Sequence, residues 1–263
     1  MKNFIRNLKI FLLFSKFSVK AISQIRLGII FFMFGKILRF LMFLLFVYLL
    51  VSKTKALKGY GVDQAIFFYL TFNIIDTASQ LLFREVYRFR PLIVSGNFDT
   101  VLVKPFHPFL RILLGGVDFL DLLMLIPYLF LTLFFAFRIG SFSAINLFVY
   151  LTLMVNALII AAAFHIFVLA LGIMVTEVDH TIMIYRDLTS LGRFPMEIYQ
   201  EPVRGIFTFI IPVGIMMSFP TKTLFGLLSS SLILFSFFMS FLLLMLSLRL
   251  WDLAIKKYQS WGG

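Results

Sequence analysis

Long runs of apolar residues, separated by short polar stretches, dominate the chain. Five of these runs are long enough to cross a bilayer as helices, because one span needs about 20 mostly apolar residues. They cover Leu27–Val51, Val62–Leu82, Ile112–Phe137, Ile145–Val175 and Leu224–Leu248. The pattern predicts an all-α integral membrane protein with one membrane domain of six transmembrane helices over residues 27–263.

The stretch Glu177–Phe219 has two interpretations. Hydropathy alone makes Gly205–Phe219 the fifth span, but this run is short for a full crossing and prolines punctuate the region. Alternatively, the fifth span covers about Val178–Pro195, and the residues after it form a pair of re-entrant helices that protein covers. Both interpretations give six crossings or their equivalent and place both termini on one side.

Residues 1–26 have the composition of a helix that lies on a membrane surface. They contain six cations and no acidic residue, and their apolar residues recur at close to helical spacing. Such a segment binds an anionic leaflet through its apolar face and its charge. We therefore predict an amphipathic interfacial helix. A cleavable signal peptide is the alternative, but no small-residue cleavage site follows the segment.

Composition agrees with a membrane protein and excludes soluble enzyme classes. The chain is 61% hydrophobic and 14% charged, whereas soluble domains are about half apolar and about a quarter charged. Its net charge of +12 would suggest a nucleic-acid partner in a soluble protein, but here the cations flank apolar runs. No cysteine occurs, which removes disulfides, thiol catalysis and Cys-ligated metals.

The positions of Lys and Arg predict the orientation. Sixteen of them flank the spans on the side of the N-terminus and five on the other side, with three in the disputed stretch. Because cytoplasmic loops carry the excess of these residues, we expect both termini in the cytoplasm.

The longest polar connection between clear spans, Arg84–Arg111, is cytoplasmic in this orientation. Prolines and Gly96 divide it into short elements, and Asn97 or Asp99 can cap the element that follows Gly96. One interpretation is an amphipathic loop that rests on lipid headgroups. The other is a docking element that receives force from a soluble partner.

Four pieces of the sequence together resemble a branch of the ABC-2-type transporter permeases. GNFDTVLVKPFHP at 96–108 resembles its Gly-x-Leu-Asp-x-x-Leu-x-Arg/Lys-Pro-x-x-Pro signature, and KGYG at 58–61 followed by FYL at 68–70 resembles its Gly-Tyr-Ser…Tyr-x-Leu stretch. RFPMEIY at 193–199, with the Ile-Pro and Phe-Pro pairs after it, resembles its Tyr-Pro…Ile-Pro…Pro-Ala region. WDLAIKKYQS at 251–260 resembles its Trp-x-x-Ala-x-x-x-Tyr-x-Ser end. The departures are Phe98, Gly61, Phe194 and Thr221, and none removes a charged or backbone-defining position.

The resemblance implies an ABC-2, type V exporter-like half-transporter in a bacterial cytoplasmic (inner) membrane. Such a half pairs with a second permease, identical or homologous, and with two cytosolic ABC ATPase subunits, and it exports hydrophobic or amphipathic cargo or flips lipid-linked molecules. The resemblance also favours re-entrant helices before the last span and places the coupling helix in residues 84–111. The residues it assigns to ATPase coupling are Arg88, Arg90, Gly96, Asn97, Asp99, Lys104, Pro105 and Pro108.

The sequence contains no phosphate-binding G-x-x-x-x-G-K-[ST] string. Energy must then come from a partner or from an ion gradient. We expect the chain to be no enzyme and to hold no cofactor or metal, with ATP and Mg²⁺ bound by a partner subunit. Membrane lipids surround it, and we expect no nucleic-acid partner.

Charged residues fall inside the predicted spans at similar depth, roughly 9–18 Å from the cytoplasmic end of each span. Each would cost about 2.5–3.5 kcal/mol if it were unpaired at the membrane centre. Mutual pairing is therefore expected, either as an ion-pair network that fixes helix register or as an inner gate or proton relay. The residues are Lys36, Arg39, Asp76, Asp118 and Asp121.

The alternative fifth span is too polar to face lipid throughout. A helix at the interface between two permeases, or one that lines the lumen, would tolerate its polar groups, which are Asp179, His180, Arg186, Asp187 and Arg193. In span four, His165 is expected to hydrogen-bond to a neighbouring helix rather than to act as a ligand.

These observations favour the permease subunit of an ABC exporter. An ion-coupled secondary transporter that uses the intramembrane Asp, Lys and Arg residues is the alternative, and a non-transporting scaffold is a third hypothesis. The loop discriminates between them, because a carrier does not need a docking element segmented by Gly and Pro.

Overall fold

The computed structural model describes residues 2–24, 26–53, 59–140, 142–175 and 179–259, and these are almost entirely helical, with no β-strand among them. In these residues the helices are α1 (Lys2–Ser23), α2 (Arg26–Lys53), α3 (Val62–Phe83), α4 (Phe89–Val94), α5 (Asn97–Leu102), α6 (Phe119–Ile139), α7 (Ala144–Val175), α8 (Asp179–Ser190), α9 (Val203–Gly205), α10 (Val213–Leu224) and α11 (Ser230–Lys257).

Among the described residues, five helical stretches are long and apolar enough to cross a membrane, namely α2, the stretch from α3 to Val94, α6, α7 and α11. Helix α7 packs against α11, α10 and α3, and it buries Ala157, Ala161 and Ala163. Small side chains at these positions let neighbouring helices approach closely. The apolar window of α3 is 72% buried and that of α2 only 6%, so α3 lies inside the bundle and α2 at its periphery.

The third span begins later than the apolar pattern predicts. Gly115 and Gly116 have φ angles of 52° and 143°, so the helical turn Leu110–Leu114 ends there. Helix α6 starts after Asp118, whose side chain accepts hydrogen bonds from the backbone N–H groups of the next turn, at 2.9 and 3.3 Å. Asp118 therefore caps the third span rather than lying inside it.

The last span also begins later, at Ser230 rather than Leu224. Leu224 is the final residue of α10, and Gly226, with a φ of 70°, turns the chain before α11. The left-handed region that this turn requires is open to glycine without a steric penalty.

The disputed stretch runs along α2 and α3. Helix α8 continues through 3-10 turns at Leu191–Arg193 and Met196–Ile198, and Val178, where the predicted span begins, lies outside the described residues. The guanidinium of Arg193 sits over the rings of Phe43 and Phe72, at 5.5 and 5.7 Å. Residues 186 and 187 line a cavity with Asp76 and Gln80, and Phe194 and Ile198 pack near Val47 and Ala65. Residues 179–198 thus follow the length of neighbouring spans, as in the second interpretation.

The residues after this stretch form a bent hairpin. Val203–Ile210 and Val213–Leu224 meet at an angle of 90°. Glu201 and Arg204, at the start of the hairpin, line the same cavity as Phe219 and Lys222, which lie near the end of α10. Both ends of the hairpin therefore lie at one end of the molecule, a geometry that a single straight span cannot have.

Different contacts stabilise the two ends of the bundle. At the end that carries Tyr60, the rings of Tyr60 and Phe142 each lie 6.5 Å from that of Phe225, and Lys222 forms an ion pair with Glu197. The other end, which we call the loop end, carries residues 84–118, helix α1 and the end of α11.

Helix α1 packs onto the loop end through side-chain and backbone contacts. The ring of Phe14 lies 6.3 Å from that of Phe106, and Ser15 Oγ accepts a hydrogen bond from the backbone N–H of Val117 at 3.2 Å. A Cβ atom at Gly116 would lie 2.9 Å from the backbone of Phe14. Glycine at this position therefore permits the close approach.

We expect Gly116→Ala to loosen α1 from the loop end. The new methyl group would collide with the backbone of Phe14, and such overpacking typically costs about 1–3 kcal/mol. Gly140→Ala is the matched control, since Gly140 also has a positive φ, 118°, but has no atom within 4 Å of an added Cβ. The measurement is the free energy of unfolding of both variants in mixed micelles. Equal values would show that the close approach of α1 does not contribute to stability.

Candidate functional site

The segment Arg84–Arg111 is a folded cap on the loop end rather than an extended loop. A 3-10 turn over Arg84–Arg88 leads from α3 into α4, and Gly96 joins α4 to α5. One apolar face of this segment is buried against the bundle. Its buried residues are Val86, Phe89, Ile93, Phe98 and Val101.

Gly96 makes the turn between the two short helices. Its φ is 70° and it is the N-cap of α5, with no side-chain cap. The prediction that Asn97 or Asp99 caps this helix is wrong. Asn97 is the first helical residue and donates its Nδ2 to Ser95 Oγ at 2.8 Å, since the left-handed turn places the cap one residue earlier.

Asp99 holds the end of the last span. The hydroxyl of Tyr258 donates a hydrogen bond to Asp99 Oδ1 at 2.8 Å, and its ring meets that of Phe98 edge to face at 5.1 Å. A second contact joins Phe109 to Trp251, with ring centroids 4.8 Å apart. Two of the sequence pieces that carry the family resemblance, 96–108 and 251–260, thus contact each other; Ser260 lies outside the described residues.

The environment of Tyr258 favours its protonated form. Burial, together with the neighbouring carboxylate of Asp99, raises the pKa of Tyr258 to about 12, above its ordinary value of about 10. The hydroxyl therefore remains a hydrogen-bond donor well above neutral pH.

Glu85 ties the two sides of the cap together. Its carboxylate forms ion pairs with Arg111 and, at 2.9 Å, with Arg88. A Cβ atom at Gly115 would lie 1.7 Å from Glu85 Cγ, so only glycine allows the side chain to lie there. The sequence analysis did not predict a role for Glu85. The feature that could have indicated one is that an acidic residue occurs in a loop with five cations.

The remaining residues that the sequence predicts for ATPase coupling lie around the outer face of the cap. Arg88, Arg90, Asn97, Lys104 and Pro105 are exposed, and Pro108 is half-buried. Val103 is 83% exposed and Val94 is also exposed, although both are apolar. This mixed apolar and basic surface, which we call the cap face, is defined by Val94, Val103, Arg88, Arg90 and Lys104.

The charged residues that the sequence places inside the spans find partners in part outside the predicted set. Lys36 forms an ion pair with Asp121. Asp118 lies 3.5 Å from Arg84, at the start of the loop. The carboxylate of Asp76 accepts a hydrogen bond from Gln80 Nε2 at 3.0 Å.

Helix α8 adds its own polar residues to this region. Arg186, Asp187 and Arg193 line a cavity of about 370 Å³ together with Arg39 and Asp76. His180 lies at the first turn of α8 and is exposed, outside this lining. The side chain of Asp179 lies outside the described residues. Members of the two predicted groups of charged residues, from the spans and from the polar helix, therefore meet in one cleft.

His165 is buried in α7 and bonds within its own helix. Its Nδ1 lies 2.7 Å from the carbonyl oxygen of Ala161, and the rings of Phe83 and Tyr185 lie 5.0 and 4.9 Å away. The predicted hydrogen bond to a neighbouring helix is therefore absent from the described contacts, because aromatic rings of those helices surround the imidazole. Among the described residues no three His, Asp or Glu side chains are grouped to hold a metal.

Membrane-length helices, a bent hairpin and a folded cap at one end define the chain as a multi-pass integral membrane protein. Residues 37–262 match the family model described as ABC-2 family transporter protein. The chain belongs to this family of membrane transport components, which are not themselves the ATPases. Comparisons with curated proteins and with solved structures give no significant match.

Tyr258→Phe should weaken the attachment of the cap to α11. We expect a loss of about 0.5–1.5 kcal/mol at neutral pH from the missing hydrogen bond. Between about pH 10 and pH 12 the unfolded chain loses the Tyr258 proton before the folded chain does, so the stability of the wild type falls with rising pH. Unfolding midpoints measured across this pH range should therefore decrease more in the wild type than in Tyr258→Phe. Parallel curves for the two proteins would contradict the assignment.

Asp118→Leu should impair folding, because it removes the cap of α6 and leaves Arg84 without its carboxylate. Loss of an N-cap alone costs about 0.5–2 kcal/mol. Asp118→Asn keeps an oxygen that can accept the same backbone hydrogen bonds and should fold better. Yield and thermal unfolding of both variants test this. Normal folding of Asp118→Leu with lost transport would instead indicate a gate.

Proposed function

We propose that the chain is the permease subunit of an ATP-binding cassette exporter. Two permeases form the translocation pathway in a bacterial cytoplasmic membrane, and two cytosolic ATPase subunits, which bind ATP and Mg²⁺, drive transport. The observation that carries the proposal is the folded cap, because it is tied to several spans and presents an outer face with exposed valines and cations.

The contacts of the cap make it suited to transmit force. It continues directly from α3, its Phe98 and Asp99 contact the end of α11, and Glu85 connects it to Arg111 ahead of α6. A push on the outer face would therefore move three spans together. A loop that only rests on headgroups does not need such attachments.

The exposed chemistry of the cap face fits a protein partner. Exposed apolar side chains rimmed by polar groups mark interaction sites. On α4, exposed Arg90 lies one turn before exposed Val94, and exposed Lys104 directly follows exposed Val103. A cytosolic ATPase that offers an apolar cleft with an acidic rim would complement this surface.

The excess of cations near the loop end supports a cytoplasmic position for this end and for both termini. The hairpin of α9 and α10 then enters from the outer side, and residues 179–198 form the fifth crossing. The ion pairs Lys36–Asp121 and Arg84–Asp118 support a role in fixing helix register. They give less support to an ion-coupled carrier, in which these groups would relay protons.

The test is affinity purification from native membranes in mild detergent. We expect the wild type to co-elute with a P-loop ATPase, and Val103→Asp and Lys104→Glu to lose it, because both place negative charge on the cap face. Lys256→Glu is the matched control, since Lys256 is an exposed cation at the end of α11. Asp99 is unsuitable for charge reversal because it also holds Tyr258.

Retention of the ATPase by Val103→Asp and Lys104→Glu would move the docking surface away from the cap face. A wild-type chain that elutes alone, or only with a second copy, would overturn the exporter proposal and favour the carrier.

A further inference from the structure

The cleft between α2, α3 and α8 contains more cationic groups than the described chain neutralises. Three arginines line it, one from α2, one from α8 and one from the turn after α8. Within the described residues, no carboxylate lies within ion-pair distance, 4.0 Å, of Arg39, Arg186 or Arg193. Each guanidinium carries five N–H donors, and these three make no hydrogen bond through their side chains to the described residues.

The carboxylates in the cleft do not form ion pairs with these arginines. Asp76 accepts a hydrogen bond from Gln80 Nε2 at 3.0 Å, and it attracts Arg186 and Arg193 electrostatically, but from beyond ion-pair distance. Asp187 lines the same cavity of about 370 Å³ but lies beyond ion-pair distance of the three arginines. The lining thus carries three positive and two negative groups, with open space between them.

Arg193 stacks on aromatic rings, whereas Asp76 attracts it only from beyond ion-pair distance. Its guanidinium lies over Phe43 and Phe72 at 5.5 and 5.7 Å, and such stacking leaves the in-plane N–H groups free to donate. A rigid guanidinium with unused donors is well suited to bind a phosphate or carboxylate in bidentate geometry.

The position of the cleft makes an unpaired arginine costly. Arg39 lies 13 residues after the start of α2, or about 20 Å along the helix, well within the span. A cation at such depth costs about 2.5–3.5 kcal/mol or more unless it is paired or hydrated. An anionic ligand would offset this cost for several arginines at once.

A second cavity of about 430 Å³ adjoins the first and shares Arg39 and Arg186 with it. Its lining adds Lys36 and Arg84, which are paired with carboxylates, and the rings of Phe31 and Phe32. Phe31 is 73% exposed on the peripheral helix α2. The charged cleft therefore opens beside an apolar surface, which suits a molecule with an anionic head and an apolar tail.

We propose that this cleft, defined by Arg39, Asp76, Gln80, Arg186, Asp187 and Arg193, binds the phosphate or carboxylate group of an amphipathic molecule within the membrane. Arg39 on α2 and Arg193 in the turn after α8 bind the anion from separate elements, and the apolar part lies along Phe31 and Phe32. The proposal deepens the exporter function: that the bound molecule is cargo rests on that function. Anion binding itself can be measured on the permease without transport.

The experiment measures lipid retention by the purified full-length chain. The protein, in detergent, is incubated with equal amounts of phosphatidylglycerol and phosphatidylcholine and analysed by native mass spectrometry. We expect selective retention of the anionic lipid. Loss of a hydrogen bond to a charged group corresponds to a drop in apparent affinity of about tenfold or more, expected for Arg39→Gln and for Arg193→Gln. Arg249→Gln is the matched control, an exposed arginine on α11.

A competition arm distinguishes the source of the anion. If inorganic phosphate displaces the lipid at millimolar concentration, the cleft recognises the anionic group alone. If it does not, the apolar tail also contributes to binding. Either result supports anion binding in the cleft, provided that Arg39→Gln and Arg193→Gln lose retention of the anionic lipid.

Equal retention of the two lipids by the wild type would overturn the proposal, as would wild-type retention by Arg39→Gln and Arg193→Gln. A loss of dimerisation in these variants with unchanged lipid retention would also overturn it, since a partner carboxylate would then occupy the cleft. If Arg193→Gln does not fold, Arg39→Gln alone tests the proposal, because Arg39 is exposed. Co-elution of the ATPase, measured on the same preparations, keeps the exporter proposal separate from this outcome.

Discussion

The cost of placing a charge in the bilayer organises the membrane part of this protein. Lys36 on the peripheral helix α2 pairs with Asp121 on α6, and this ion pair fixes the distance and rotation of the two helices. Arg84 and Asp118 repeat the arrangement where α3 ends and α6 begins. Because breaking one partner of a buried pair leaves an uncompensated charge, these contacts constrain helix register more strongly than lipid-facing apolar packing can.

The cap extends this rigidity beyond the membrane. Its apolar side is buried against the spans, and its polar anchors, Glu85 and Asp99, connect it to Arg111 and Tyr258. The conformations of Gly96, Gly115 and Gly116 make these approaches sterically possible. A surface held in this way moves with the helices below it. That property is required of an element that converts the movement of a partner into a change in the membrane domain.

The cleft between α2, α3 and α8 is where the membrane charges are not balanced within the described chain. Arg39, Arg186 and Arg193 converge there from separate elements, whereas the other intramembrane cations have carboxylate partners. An unbalanced group of cations is costly in the membrane and therefore points to binding. The bent hairpin closes the opposite end of the bundle, where Lys222 and Glu197 hold it to the stretch after α8.

The sequence by itself determined the class, the five apolar spans and the division of residues 84–111 into short elements, because hydropathy and Gly/Pro positions are local properties. It placed Asp118 inside a span, since apolar residues continue across Gly115 and Gly116, and it could not choose between two courses for residues 177–219. Tertiary structure decided the position of Asp118 and the course of residues 179–219. Ion-pair partners such as Arg84 for Asp118, the Tyr258–Asp99 contact and the shared cleft join residues that are distant in sequence, and only the packing of the helices brings them together.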